Sequence, residues 1–409
     1  MPPETPAATT KLVLTYRVLQ HWRTPVFRRL ASWPGFRFLA LHGGDFPGTK
    51  AVNGKQLQGF DHRELPTIRF DLARDDNAIP MPLCPSLPLH LWRERPDVIL
   101  AEGGSNLFNN FLMFAYAGLT RTPVVWWTLG ELRGSEALSR VQRLFRWLVR
   151  QMELRSTALL GYSSVAIEYF DRQGYEKGRQ FRAVNCVDTD NVLEQTREAL
   201  PRVDALRSQY DLEGKRVLLF VGALIPPKRL EDLIRAHANL VKRHPDLRLL
   251  IVGGGSHREA LEREVEAVGA EGVIFTGQVI EDIHAYFELG DIFVLPGLGG
   301  LAISEAMAHG LPVLATEADG CEVDLVEEGV NGYLLPVGDR VALEARLDEI
   351  LDDPGRLERM SAHSRWVIEN RYNIHTYMEN VAAAVNFAHT GKRDVPPPQS
   401  GHAAAGDSS

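Results

Sequence analysis

The sequence predicts an α/β protein built on two parallel sheets. Three observations carry this. Short continuous apolar runs bounded by Gly or Pro recur along the chain. Helix-length stretches separate them. The whole pattern appears in both halves of a 409-residue sequence. Continuous apolar runs, rather than alternating ones, mark strands covered on both faces by helices. The length suits two domains.

In the first half the runs are Lys11–Tyr16, Arg37–His42, Thr67–Asp71, Asp97–Ala101, Pro123–Thr128 and Thr157–Tyr162. In the second they are Arg216–Val221, Leu247–Val252, Val273–Thr276, Asp291–Leu295, Pro312–Ala315 and Gly332–Leu335. The spacing predicts a helix over 228–243, with Leu230, Leu233, Ile234, Leu240 and Val241 near one face. Ser256 with Glu259 reads as a capping box opening a helix that buries Leu261, Val265 and Val268. The polar stretch from Asp188 to Tyr210 reads as the linker region. The domains are expected at 1–200 and 201–375, with a helix over 376–390 packing back toward the N-terminal domain. The Pro- and Ser-rich tail, 391–409, is expected to be disordered.

Composition excludes several classes. Hydrophobic residues make up 44% and charged residues 24%, a normal globular mix. No apolar run approaches the ~20 residues of a membrane span; Asn106 to Leu119, the most apolar, is interrupted by Asn109, Asn110 and Tyr116 and reads as a core helix. The N-terminus lacks a basic start followed by an apolar stretch, so it does not read as a secretory signal. Cys84, Cys186 and Cys321 match no metal or redox spacing, and a reducing, cytoplasmic setting is the simplest reading. Histidines have no partner at metal-ligand spacing, so no metal site is expected. Residues 1–210 carry 27 Lys and Arg against 21 Asp and Glu, and the remainder 18 against 32. A basic half beside an acidic half argues against general nucleic-acid binding and is compatible with an N-terminal half resting on an anionic membrane. The stretch Glu136 to Arg155 sharpens that reading. It sets Leu138, Val141, Leu144, Phe145, Leu148, Val149 and Met152 on one side, with Arg140, Arg143, Arg146, Arg150 and Arg155 as cations. It is either a basic amphipathic helix on lipid or a solvated helix packed on its sheet.

The chemistry concentrates in two loops of the second half. Asp291 to Val313 reads as a strand, a loop with Gly297, Gly299 and Gly300, a short helix ending at Gly310, and a further strand. Uncovered loop amides before a helix N-terminus favour an anion, and a diphosphate is the natural ligand. Glu305, about one turn into that helix, has a carboxylate able to accept two hydrogen bonds from a vicinal diol such as a ribose. The bland alternative is a glycine-rich turn with a solvated Glu. In the other loop a strand ends at Gly222, prolines 226 and 227 stiffen the turn, and Lys228 and Arg229 follow. Cations opening a helix oppose its dipole, which suggests that they serve an anionic ligand; two ordinary surface cations are the alternative. Both loops leave C-terminal ends of strands, where open α/β sheets bind ligands. Gly253-Gly254-Gly255 lacks the third-glycine spacing of a dinucleotide fingerprint.

FVGALIPPKR at 220–229, LRLLIVGGGSHREALE at 247–262, FTGQV at 275–279, DIFVLPGLGGLAISEAMAHGLPVLAT at 291–316 and DGCEVDLVEEGVNGYLLPVGD at 319–339 fall in a familiar order. VNCVDTD at 184–190 precedes them. Together these segments resemble the retaining glycosyltransferases of family 4, over roughly residues 180–375. The resemblance implies the GT-B fold, two Rossmann-like domains with parallel sheets facing across a cleft. It implies that Lys228 contacts the donor diphosphate and that Glu305 binds the nucleotide ribose. The amides of Gly299, Gly300 and Leu301 would then cradle the distal phosphate, and backbone near Val279 would lie by the base. It also implies no dedicated metal or cofactor, the nucleotide diphosphate-sugar being a co-substrate.

Two departures stand out. Relatives of this type carry a Glu where this chain has Gly297, and commonly an Arg where it has Ala223. Arg229 is the nearest substitute cation, and Arg23 from the other domain is another. The segment His21-Trp22-Arg23-Thr24-Pro25 resembles a polysaccharide-assembly subgroup. Glu102 and Glu131 end apolar strands of the first half, and either is placed to take the acceptor proton or orient its hydroxyl. A structural role is the alternative for each. The expected activity is transfer of a sugar, with retention, to a glycan or lipid-linked saccharide. A degenerate GT-B protein that binds without catalysis, or a nucleotide-sugar epimerase, are the alternatives.

Overall fold

The computed structural model describes residues 9–46, 52–54, 57–70, 81–130, 140–318 and 320–396. The chain divides into two units, residues 1–183 with 375–409, and residues 184–374.

The first unit runs β1 (Thr10–Tyr16), α1 (Thr24–Ser32), β2 (Phe36–Gly43), β3 (Asp61–Leu65), β4 (Ile68–Phe70), β5 (Met81–Leu83), α2 (Leu87–Glu94), β6 (Val98–Glu102), α3 (Leu107–Thr120), β7 (Val124–Thr128), α4 (Arg140–Arg155), β8 (Ala158–Gly161), α5 (Ser164–Arg172) and β9 (Gln180–Arg182). Seven strands form a parallel sheet in the order β3-β2-β1-β6-β7-β8-β9. Its central strands are apolar because both faces are covered: Leu12, Val13, Leu14, Ile99, Leu100, Val125 and Trp126 have no measurable exposure. The run expected at Thr67–Asp71 is not part of this sheet. Ile68–Phe70 pairs antiparallel with Met81–Leu83 and is exposed. The place at the sheet edge is taken by Asp61–Leu65, a polar segment with one buried residue. An edge strand covered on few sides needs no apolar run.

The second unit runs α6 (Thr189–Gln209), β10 (Arg216–Val221), α7 (Leu230–Leu240), β11 (Leu247–Val252), α8 (Arg258–Val268), β12 (Val273–Gly277), α9 (Ile283–Phe287), β13 (Ile292–Leu295), α10 (Leu301–Ala308), β14 (Val313–Thr316), α11 (Glu322–Leu325), β15 (Gly332–Leu335), α12 (Arg340–Leu351) and α13 (Pro354–Asn370). The sheet is parallel, in the order β12-β11-β10-β13-β14-β15. The polar stretch read as a linker is α6, a 21-residue helix of this unit that buries Thr189, Val192 and Ala199 and accommodates Pro201. The capping box does not form: α8 starts at Arg258 with no side-chain cap, and Val268 is left exposed. Gly253 is required by close approach, because a Cβ there would strike the Gly222 carbonyl.

The last helix, α14 (Ile374–Thr390), lies almost wholly in the first unit. Phe387 contacts Phe181 of β9 at a 5.4 Å centroid distance. Arg393 then lies over Phe181 and donates to the carbonyls of Gly178 and Gln180, covering the β9 edge. Residues 397–409 of the tail expected to be disordered lie outside the described residues.

Candidate active site

In the second sheet, chain order reverses between β10 and β13. The loops leaving two neighbouring strands then turn to opposite faces, opening a crevice at their C-terminal ends. The β10 loop holds Lys228, and the β13 loop holds Gly297, Gly299 and Gly300.

The β10 loop does not enter a helix directly, as the apolar spacing suggests. Pro226–Lys228 forms a 3-10 turn, and Arg229 adopts a left-handed conformation (φ 54°) before α7 begins. This reversal sends neighbouring cations in different directions. Lys228 turns to the glycine loop: a Cβ built on Gly299 would lie 2.5 Å from its Nζ, and one on Gly222 would lie 3.9 Å from its Cε. Arg229 turns the other way, paired with Asp232 at 2.7 Å and lying against Gly338. The structure brings Gly222, Lys228, Gly297 and Gly299 together and directs Arg229 elsewhere.

The two loops are also joined through backbone. Leu298 N–H donates to the Pro227 carbonyl at 3.0 Å. A Cβ on Gly297 would strike that same carbonyl, so a side chain at 297 has no room. Gly300 is the N-cap of α10. The N–H groups of Gly299, Gly300 and Leu301 have no hydrogen-bond acceptor among the described residues. An ammonium and the open amides of an eight-residue helix therefore share one small volume, an arrangement suited to a phosphate group.

Glu305 follows one turn into α10. It is half-buried, and its carboxylate has no hydrogen-bond or ionic partner among the described residues. Burial pushes its pKa up to about 7, because the charged form is poorly solvated there. A ligand donating hydroxyl hydrogens would favour the ionised form. Val279 follows β12 at the sheet edge, half-buried and two strands away from β10.

Several supporting residues were not legible in the sequence. Ser304, fully buried, accepts the Val187 N–H at 3.3 Å and ties α10 to the segment entering this unit. His309, the C-cap of α10, contacts Glu288 at 2.7 Å and His284 at 3.2 Å, and His284 contacts Gln195 at 2.7 Å. Such side chains reveal their role only through partners distant in sequence.

In the first unit, Glu102 ends β6. Its carboxylate accepts the Arg17 N–H at 2.6 Å and the Ser105 hydroxyl at 3.0 Å. Arg23 is buried, its guanidinium 5.3 Å from the Trp127 ring centre and 4.8 Å from that of Tyr162. Glu131 lies outside the described residues.

One group of side chains has the composition of a metal site, namely His244, Asp348 and Asp352, with ligand atoms within 4.8 Å of one another. Its hydrogen bonding argues otherwise. Arg216 contacts His244 Nδ1 at 3.1 Å, and a guanidinium only donates. Nδ1 is thus the acceptor, and Nε2 carries the hydrogen given to Asp348 at 2.9 Å. No ring lone pair is left for a metal.

Residues 203–366 match the model of the family described as glycosyl transferases group 1. Over 92% of its length the chain resembles Anabaena HepE, solved in complex with UDP, with a TM-score of 0.72, 18% identity and all of that chain covered. The chain has the GT-B fold, and its residues 203–366 are similar to the group 1 glycosyltransferases. A GDP-mannose-dependent α-(1-6)-phosphatidylinositol monomannoside mannosyltransferase of Mycolicibacterium smegmatis is 34% identical over 45% of this chain. The match spans only 50% of that relative. A GDP-mannose-dependent α-mannosyltransferase of Corynebacterium glutamicum is 29% identical over 85% of this chain and 78% of its own length. Lys228, Gly297, Gly299 and Glu305 all fall inside the matched residues 203–366.

Proposed function

We propose that this GT-B protein transfers a hexosyl unit from a nucleotide diphosphate-sugar to a glycan or lipid-linked saccharide, with retention at the anomeric carbon. The observation that carries the reading is the contact of Lys228 with Gly299 beneath the open amides of α10. As the glycosidic bond to the diphosphate breaks, negative charge builds on the leaving oxygens. Lys228 and the amides of Gly299, Gly300 and Leu301 are preorganised to receive it, which is where electrostatic catalysis acts. Ionised Glu305 holds the ribose hydroxyls. This set supplies positive charge from side chain and backbone, so the reading assigns no metal and no cofactor beyond the donor. Val279 backbone is assigned to the base. Arg229, held by Asp232, is a less suitable replacement for the absent Arg at Ala223 than Lys228 itself.

GDP-mannose is the first donor to test, because two relatives are named for it, and UDP-glucose the second, because HepE has also been solved in complex with it. Labelled donors are incubated with the protein and a membrane extract as acceptor. Transfer that disappears in Lys228→Gln is the expected result; no transfer from any donor would overturn the reading. One observation favours a second reading. The closed space at Gly297 leaves no room for the sugar-contacting carboxylate of its relatives, which suits a protein that binds nucleotide without transferring sugar. Tight nucleotide binding in calorimetry with no turnover would select it.

The acceptor reading extends to membrane contact on the cytoplasmic face. The outward face of α4 presents Arg140, Arg143, Leu144, Trp147, Arg150 and Leu154, all exposed. Phe145, Leu148, Val149 and Met152 on the opposite face pack toward the sheet core. Cations beside exposed Leu and Trp combine the two attractions that anionic lipid offers. Among the described residues no helix is long and apolar enough to cross a membrane.

A further inference from the structure

The turn that carries Lys228 is tied down at both ends. Three backbone hydrogen bonds lace the β10 loop to the β11 loop beside it. Gly222 N–H donates to the Val252 carbonyl at 3.0 Å, Leu224 N–H to that of Gly254 at 3.0 Å, and His257 N–H to that of Leu224 at 3.1 Å. The loops approach so closely that a Cβ on Gly255 would strike the Leu224 carbonyl. Leu224 is itself fully buried, which fixes the entry to the turn in the core.

His257, the N-cap of α8, also reaches the exit. Its Nε2 meets a carboxylate oxygen of Glu231, in the first turn of α7. An ionised carboxylate only accepts, so Nε2 carries the hydrogen. Leu224 lies four residues before Lys228 and Glu231 three after it. One residue of the neighbouring loop thus holds the entry through its backbone and the exit through its side chain. Between them lies the turn that points Lys228 at Gly299. The two adjacent carboxylates divide the work: Asp232 holds Arg229 away at 2.7 Å, and Glu231 fixes the turn.

A simple tie between helices is the plain alternative, since Glu231 opens α7 and His257 caps α8. That role is filled one turn further along, where Arg235 of α7 and Glu264 of α8 pair at 2.6 Å. This second pair is formed wholly within the helices, whereas His257 is bonded to the β10 loop as well.

We infer that His257 is a positioning residue for Lys228, acting with Glu231 as a splint across the β10 loop. The splint stands on the geometry of the loops, and its consequence for the donor diphosphate rests on the transfer reading above. A cation stabilises developing charge to the extent that it is held in place beforehand. A loop that must be ordered on binding weakens that binding.

Hydrogen exchange of the Leu224, Lys228 and Arg229 amides is measured in the full chain and in His257→Ala, Glu231→Ala and Arg235→Gln. The first two variants are expected to speed exchange about tenfold and Arg235→Gln to leave it unchanged. Glu231→Ala cuts the same tie from its other end, so the test survives if His257→Ala fails to fold. Unchanged exchange in both overturns the inference with no ligand involved. Equal acceleration in Arg235→Gln also overturns it, in favour of helix docking. Calorimetry with GDP and UDP then reads the consequence. His257→Ala is expected to weaken diphosphate binding about tenfold, and to add little when Lys228→Gln is already present. His257→Gln, whose amide can still donate to Glu231, is expected to restore most of the affinity. Equal losses from His257→Ala with and without Lys228→Gln overturn the positioning role and leave the donor reading intact. Wild-type affinity for both diphosphates in Lys228→Gln sinks the donor reading, and the exchange result then decides the splint by itself.

Discussion

The ammonium of Lys228 occupies the space in which a side chain on Gly299 would begin, 2.5 Å from an ideal Cβ. The Gly299→Ala substitution therefore acts on Lys228 without touching its charge. It is expected to weaken nucleoside diphosphate binding at least tenfold, about 1.4 kcal/mol. Lys228→Gln is expected to cost roughly 10²–10³ in kcat, the scale of losing one preorganised charge-stabilising group. Calorimetry on Gly299→Ala with unchanged affinity would count against a shared pocket.

Gly297 makes a different prediction. Its missing side chain would meet the fixed backbone of Pro227 and Lys228. Gly297→Glu, which restores the carboxylate of the related sequences, is expected to destabilise by about 1–3 kcal/mol through overpacking and to lower transfer rather than raise it. Urea unfolding measures the first effect and donor turnover the second.

Glu305 sets a pH dependence with a definite sign. Its folded pKa, about 7, lies above the ordinary 4.5. Between those values the folded protein holds a proton that the unfolded chain has released, so this group's contribution to stability falls as pH rises through that window. Glu305→Gln removes the penalty. The variant is expected to match wild type near pH 4 and to exceed it near pH 8, by an amount on the order of 1–3 kcal/mol. Nucleotide binding should respond oppositely. A ribose that donates to the carboxylate favours the ionised form, so wild-type affinity weakens below about pH 7. In Glu305→Gln that limb is expected to flatten. Equal pH profiles for the two proteins would show that Glu305 does not meet the nucleotide.

The face of α4 predicts lipid dependence. The full chain is expected to sediment with vesicles containing anionic lipid and not with zwitterionic ones, and to be released by salt. Leu144→Glu with Trp147→Glu should abolish sedimentation while leaving nucleotide affinity unchanged. Sedimentation that survives the double substitution would place any membrane contact elsewhere.

The cluster of His244, Asp348 and Asp352 predicts a null effect. Because Arg216 uses Nδ1 as an acceptor, zinc or manganese is not expected to raise the melting temperature. A clear rise, lost in His244→Asn, would show that the ring changes tautomer to admit a metal.

Both parallel sheets were legible as runs such as Val217–Phe220 and Leu249–Val252, because a strand covered on two faces must be apolar at every position. Gly299, Lys228 and Glu305 were legible because an anion pocket needs a bare loop, a cation and a helix start at fixed short spacings. The edge strand Asp61–Leu65 was not legible, since an exposed edge imposes no apolar pattern. Nor was the left-handed turn at Arg229, which sends it to Asp232 and leaves Lys228 to face Gly299. Sequence by itself determined the fold class and the segments that form the candidate site, because local period and composition follow from burial and backbone geometry. Only the tertiary structure decided which cation faces Gly299 and that nothing fits at Gly297, because those outcomes depend on atoms brought together from loops far apart in the chain.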